Sequence, residues 1–168
     1  MQNSTQQILT QLIALLLFTS AAAALHAQEQ SPVVFSNIAQ KEVVSLDAQG
    51  NETINLIGVE IALPGDVIVY TSTFTNQGGE SVGNITVDNP VPENTAYIGF
   101  SARGENTQVV FSVDGGSAYG GPAALVVTGA NGEERTALPE EYTNIRWVYS
   151  GELSPGQSSS VSFKVRIL

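Results

Sequence analysis

An all-β fold, an antiparallel β-sandwich of about seven to nine strands, is what the sequence predicts, and three observations predict it. Short runs of alternating or β-branched residues recur along the chain. Gly, Pro and Asn turns separate them. No window beyond residue 27 has helical periodicity, and the 16 glycines spread through the 168 residues would interrupt any long helix, each costing about 1 kcal/mol relative to alanine.

The first 27 residues read as a cleaved signal peptide that precedes the fold. Leu12–Leu25, LIALLLFTSAAAAL, is an apolar run of signal-core length and short for a bilayer span, and cleavage is expected after Ala27. No Lys or Arg precedes the run and Leu25 stands two positions before Ala27, so cleavage after Ala24 and a retained N-terminal anchor stay open as alternatives. Residues 28–46 then form an extended arm or a first strand, and residues 47–168 the sandwich itself.

Each element follows from its pattern. Val33–Leu46, VVFSNIAQKEVVSL, is apolar at both ends and reads as one long strand or two short ones. Asp47–Asn51 is a turn, and Glu52–Leu63 continues extended. In Pro64-Gly65-Asp66 the proline presets a turn and the glycine tolerates positive φ. The strand that follows puts Ile68, Tyr70, Ser72 and Phe74 on one face and Val67, Val69, Thr71, Thr73 and Thr75 on the other. Ile85 and Val87 share a face before Pro90 and Pro92 end the ladder. Ala96–Ala102 and Thr107–Val113 bracket the turn Arg103–Asn106, with Val109, Phe111 and Val113 on one side. Asp114–Pro122 is a glycine-rich loop, and Ala123–Thr128 looks buried. Asn131-Gly132 is a hairpin cue, although Glu133–Thr143 reads as a long connection. Ile145, Trp147 and Tyr149 share a face, which places Trp147 in the core. Val161, Phe163, Val165 and Ile167 give the cleanest period-two pattern of the chain.

Composition excludes several function classes. The charge is −10, from 6 basic and 16 acidic residues, all beyond residue 27. Six scattered cations cannot form the patch that neutralises phosphates, so nucleic acid is not an expected partner. The same field repels anionic lipid heads, so no membrane contact is expected of the mature form. There is no cysteine, and the one histidine, His26, lies in the expected signal segment. A Ser-His-Asp triad, a cysteine nucleophile and His or Cys ligation of zinc are thereby unavailable.

Carboxylates are the remaining chemistry. Glu133, Glu134, Glu140 and Glu141 would have to face each other across a cleft to hydrolyse a glycoside, whereas their polar surroundings read as a solvated face. Asp88 and Asp114 could contribute to a calcium site, but no D-x-D-x-D-G spacing is present. Asn51-Glu-Thr53 and Asn84-Ile-Thr86 match the N-glycosylation pattern. No enzyme, cofactor or metal site is read from these residues.

The order of motifs is more specific. LPGDVIVYTSTFTNQG, then VDNPVPENTAYI, VVFSVDGGSAYG and YTNIRWVYSGELSPGQSSSVSFKVRIL resemble the conserved repeat domain of prokaryotic cell-surface proteins, the eleventh in the numbered series of domains of unknown function. The resemblance covers residues 57–168. It implies an immunoglobulin-like sandwich in an exported or cell-surface protein, with a structural or adhesive role.

A lone sandwich has edge strands with unpaired backbone groups, which an extended arm from a neighbour can complete. Val33–Val44 precedes the resembling region, and Val33, Val34, Phe35 and Ile38 are its candidate anchors. The sequence therefore leads to a structural protein of the cell surface or extracellular matrix, secreted, and assembling as a filament by strand addition to copies of itself or to another surface protein. A monomeric adhesion module that binds a surface glycan or protein is the alternative, and pairing of the arm within its own sandwich is the alternative to exchange.

Overall fold

Alternation along Val67–Asn76 sets the plan of the molecule. Ile68, Ser72, Phe74 and Asn76 turn inward and are buried, while Thr71, Thr73 and Thr75 stay half-exposed on the other face. The computed structural model describes residues 32–168; the expected signal segment and its cleavage points lie outside them. In chain order the strands are β1 Val33–Leu46, β2 Glu52–Gly58, β3 Val67–Asn76, β4 Val82–Gly83, β5 Thr86–Pro90, β6 Thr95–Tyr97, β7 Arg103–Gly104, β8 Thr107–Ser112, β9 Val126–Thr128, β10 Glu134–Thr136, β11 Asn144–Tyr149, β12 Glu152–Leu153 and β13 Ser158–Ile167. Two single 3₁₀ turns, Pro122–Ala124 and Pro139–Glu141, are the helical elements among the described residues.

Two antiparallel sheets face each other. The larger runs β2-β1-β3-β13-β6, with β7 also pairing β13, and the smaller runs β5-β11-β8. The ribbons β9–β10 and β4–β12 complete the shell. Rings from the two sheets interlock between them: Phe74 meets Tyr149 edge-on at 5.4 Å, and Trp147 lies 6.0 Å from Phe163. The fold is thus the all-β antiparallel sandwich the sequence predicts, with Trp147, Ile145, Phe74 and Val165 wholly buried at its centre.

One buried polar side chain ties the end of β3 to β12. Asn76 is fully enclosed; its amide donates to the carbonyls of Glu80 (2.7 Å) and Leu153 (2.8 Å), and its side-chain oxygen accepts from the Gly78 amide (2.9 Å). Its backbone bonds the turn before β13 at Gly156 and Gln157. Every polar atom is paired, which is what makes so deep an amide tolerable.

Four local expectations are refined. Val33–Leu46 is one strand of 14 residues. Ala96–Ala102 shortens to the three residues of β6, because a turn closed by the Ser101 amide on the Ile98 carbonyl intervenes. Ala123–Thr128 is not a continuous buried run: Leu125 is buried, Val127 is partly buried against the core, and Val126 between them turns outward and stays exposed. Asn131-Gly132 does make a hairpin, with Gly132 at φ +78°, so β10 occupies what reads as connection.

Candidate functional site

The large sheet ends differently on its two sides, and each side carries a surface without a protein cover. On one side lies β1. Its first part pairs β3 in register from Val33 opposite Asn76 to Lys41 opposite Ile68. The candidate anchors therefore sit on the sandwich of their own chain, yet they contribute little to its core. Phe35 meets Phe74 at 6.1 Å and still leaves nearly half its surface exposed; Val34 and Ile38 are exposed, and Val33 is partly buried against the core. Among the described residues, no fully buried core side chain precedes Ile68.

Alternation is one cause: Val34 and Ile38 lie opposite Thr75 and Thr71, on the face of the large sheet turned away from the small one. On the inner face β5, the nearest strand of the small sheet, does not close fully against β1. A groove of about 230 Å³ remains there between Phe35, Asn37 and Ser72 on one wall and Thr86–Asn89 on the other. β1 is held instead by its backbone ladder and by two ion pairs, Lys41 Nζ to Asp66 Oδ2 at 2.6 Å and Lys164 Nζ to Glu42 Oε2 at 2.8 Å. The bond from Lys41, helped by the Leu63 amide, holds the Asp66 carboxyl below the usual aspartate range.

That shift gives a pH dependence with a definite sign. A carboxyl lowered in the folded state stabilises fully above its unfolded value, about pH 4, and the contribution is lost as pH falls through the lower folded value. Protection of the β1 amides from hydrogen exchange, taken relative to the intrinsic rate at each pH, is therefore expected to fall on acidification below about pH 4, ahead of that in β13. Equal protection of the two strands across that window would contradict it.

Beyond Lys41 the strand leaves β3 and pairs only β2, from Gln40 opposite Gly58 to Leu46 opposite Glu52. Directly opposed residues share a face. One face is polar, with Ser45 bonded to Thr53 (2.9 Å) and Asn55 (2.7 Å). The other carries Val44, Leu46, Ile54 and Leu56, all exposed, bordered by Glu42 opposite Leu56 and Glu52 opposite Leu46. Asp47 fixes the tip: its carboxylate accepts from the Asn51 side chain and from the Gln49 and Asn51 amides, which lowers its pKa, while Gly50 supplies the positive φ of +85°. The hairpin is rigidly closed and apolar on an uncovered side.

At the opposite side of the sheet, beyond β6 and β7, an apolar groove of about 530 Å³ opens between the sheets. Its floor is aromatic: Phe111 lies 4.7 Å from Tyr142 and 5.5 Å from Tyr97. Burial of Tyr142, with the phenol of Tyr97 and the carboxylate of Glu140 nearby, pushes its hydroxyl pKa up. Val109 of β8, the register partner of Trp147, lies in the wall. At the rim Phe100 is 91% exposed and sits at φ +60°, a left-handed conformation that is a real outlier for a bulky side chain. Arg103 steadies that turn by donating to the carbonyls of Phe100 and Ala102, and among the described residues no carboxylate forms an ion pair with it.

Of the candidate carboxylates, Glu141, Asp88 and Asp114 are engaged elsewhere. Arg135 grips Glu141 through two bonds of 2.7 Å and, with the Leu138 amide, holds its pKa down to about 2. Asp88 binds Arg146 twice, at 2.6 and 2.8 Å, and the guanidinium stacks over Tyr119. Asp114 accepts from the Ser112 hydroxyl and the amides of Ser117 and Ala118 within its own turn. Among the described residues no group of three His, Cys, Asp or Glu side chains could hold a metal ion, and no helix is long and apolar enough to cross a membrane.

Sequence reasoning placed the arm but missed the groove. Its lining comes from four separate stretches, residues 97–103, 109–111, 122–123 and 136–142, and no spacing rule joins them. No protein-family model matches this chain, and no curated protein or solved structure matches it either.

Proposed function

We propose that this protein is an exported structural subunit of the cell surface or extracellular matrix that assembles into filaments by β-strand addition, β1 of each copy lying on the β3 edge of the next. The observation that carries the reading is that the fully buried core begins at Ile68. A strand held by backbone bonds and two ion pairs, with Val34, Phe35 and Ile38 left half outside, can be exchanged without removing a fully buried side chain.

Exchange re-forms the same bonds in a second copy, so its cost lies in the connection. Residues 59–66 link the hairpin to β3 outside any strand, and eight extended residues reach about 27 Å. Each copy gives one strand and receives one, a head-to-tail arrangement that grows without closing. The resemblance to surface-protein repeat domains points to the same class of role. The apolar lining of the groove, with Tyr97 and Tyr142 buried in its floor, favours this reading over a glycan-binding monomer.

A staple tests it. Ser36 and Thr73 are direct partners on the outer face of β1 and β3, within the separation that a disulfide spans, and the chain has no cysteine of its own. Ser36→Cys with Thr73→Cys, oxidised while dilute and monomeric, is expected to abolish filaments in sedimentation and electron microscopy, and reduction to restore them. Oxidation after assembly should instead give a covalent ladder on a non-reducing gel. Filament formation by the chain stapled as a monomer, at the yield of the reduced chain, would refute strand exchange.

A further inference from the structure

We infer that the apolar face of the β1–β2 hairpin of one copy docks into the aromatic groove beside β6 and β7 of a second copy, a lateral contact separate from strand exchange. This rests on the reading of the chain as self-assembling, but not on exchange. Whichever copy supplies β1, the hairpin stands at the β3 edge.

Three features point to a second copy as the occupant. The first is pairing of need: Val44, Leu46, Ile54 and Leu56 form an uncovered apolar face on a closed hairpin, and the groove is an uncovered apolar cleft of about 530 Å³. Both lie on the same chain. The second is placement. The hairpin continues β1 and β2 at one end of the sheet order, and the groove adjoins β6 and β7 at the other, so the hairpin belongs to one side of the molecule and the groove to its opposite. Contact between unlike surfaces is heterologous and propagates. The third is charge. On the hairpin Glu42 is taken by Lys164 and Asp47 by its own turn, but Glu52, beside Leu46, and Glu60 form no ion pair among the described residues, and neither does Arg103 at the groove rim.

Phe100 supports the assignment. A phenyl ring almost wholly in water on a left-handed backbone is doubly unfavourable in the isolated copy. Seated against Leu46 and Ile54 of a neighbour it would lose its exposure, and the neighbour's chains would lose theirs. Substitution at these exposed positions leaves the core untouched.

The test uses the full chain carrying the oxidised Ser36→Cys/Thr73→Cys staple, so that exchange is silent and only docking is read. One version adds Leu46→Asp and Ile54→Asp on the hairpin; another adds Phe100→Asp and Arg103→Glu at the groove. The stapled parent is expected to form short oligomers in analytical ultracentrifugation that dissociate on dilution and do not reach the filaments that exchange builds, and each version alone to stay monomeric. Mixed in equal amounts they should form a 1:1 pair and stop, a doubling of mass, because one retains an intact groove and the other an intact hairpin. A mixture that stays monomeric, or either version alone assembling like the parent, would overturn docking. A monomeric stapled parent beside a reduced chain that forms filaments refutes docking and leaves strand exchange standing; if neither assembles, both readings fall.

Discussion

Replacing Asn76 with alanine is expected to lower unfolding stability by about 2–4 kcal/mol, although the substitution removes only a small side chain. The cost comes from what is left behind. The carbonyls of Glu80 and Leu153 lose their donor and the Gly78 amide loses its acceptor, all around a site closed to water. Asn76→Asp keeps the volume and should not rescue it: an anion would face two carbonyl oxygens, and its burial without a cation is costly. Urea midpoints for the wild-type chain and both variants check this, and a change under about 0.5 kcal/mol would mean that water replaces the lost bonds.

Trp147→Ala should be costlier still, about 3–5 kcal/mol. Trp147 lies wholly buried on the central strand of the small sheet, flanked by Val87 on β5 and Val109 on β8, and its ring meets Phe163 across the interior. Alanine would leave a cavity between two sheets whose positions are fixed by their own ladders, so little collapse can fill it. Trp147→Phe is expected to retain most of the stability, since the ring contact survives. The hairpin supplies the contrast. Leu46→Asp in the stapled monomer should shift the midpoint by less than about 0.5 kcal/mol, because that side chain already faces water. A loss there comparable with Trp147→Ala would show that the hairpin packs against something within its own chain.

Alternation made the sheets legible. Ile68 to Phe74, Ile145 to Tyr149 and Val161 to Val165 could be assigned inward faces because each strand has one dry side and one wet one, and the buried faces match. The same rule misled at Ala123–Thr128, where apolar residues cover a rim rather than fill a core. β10 was hidden for a different reason: Glu-Arg-Thr has no apolar face, and its pairing is set by the turn at Gly132 and not by burial. At the candidate surfaces the arm was readable as a strand preceding the resembling region. The groove was not, because a cleft is made by the distance between sheets, and sheet width depends on which strand ends up beside which. Nothing local in the sequence reports that a sheet of six strands would stand opposite one of three.

Strand order also governs when the molecule can exist at all. β13 is the last strand of the sandwich to be synthesised, yet it lies between β3 and β6 and carries three of the most deeply enclosed side chains, Val161, Phe163 and Val165. A nascent chain that has reached Tyr149 holds most of the small sheet but lacks the strand on which β3, β6 and β7 converge. Closure of the large sheet must therefore wait until β13 is free to pair, and until then the early strands have unpaired edges.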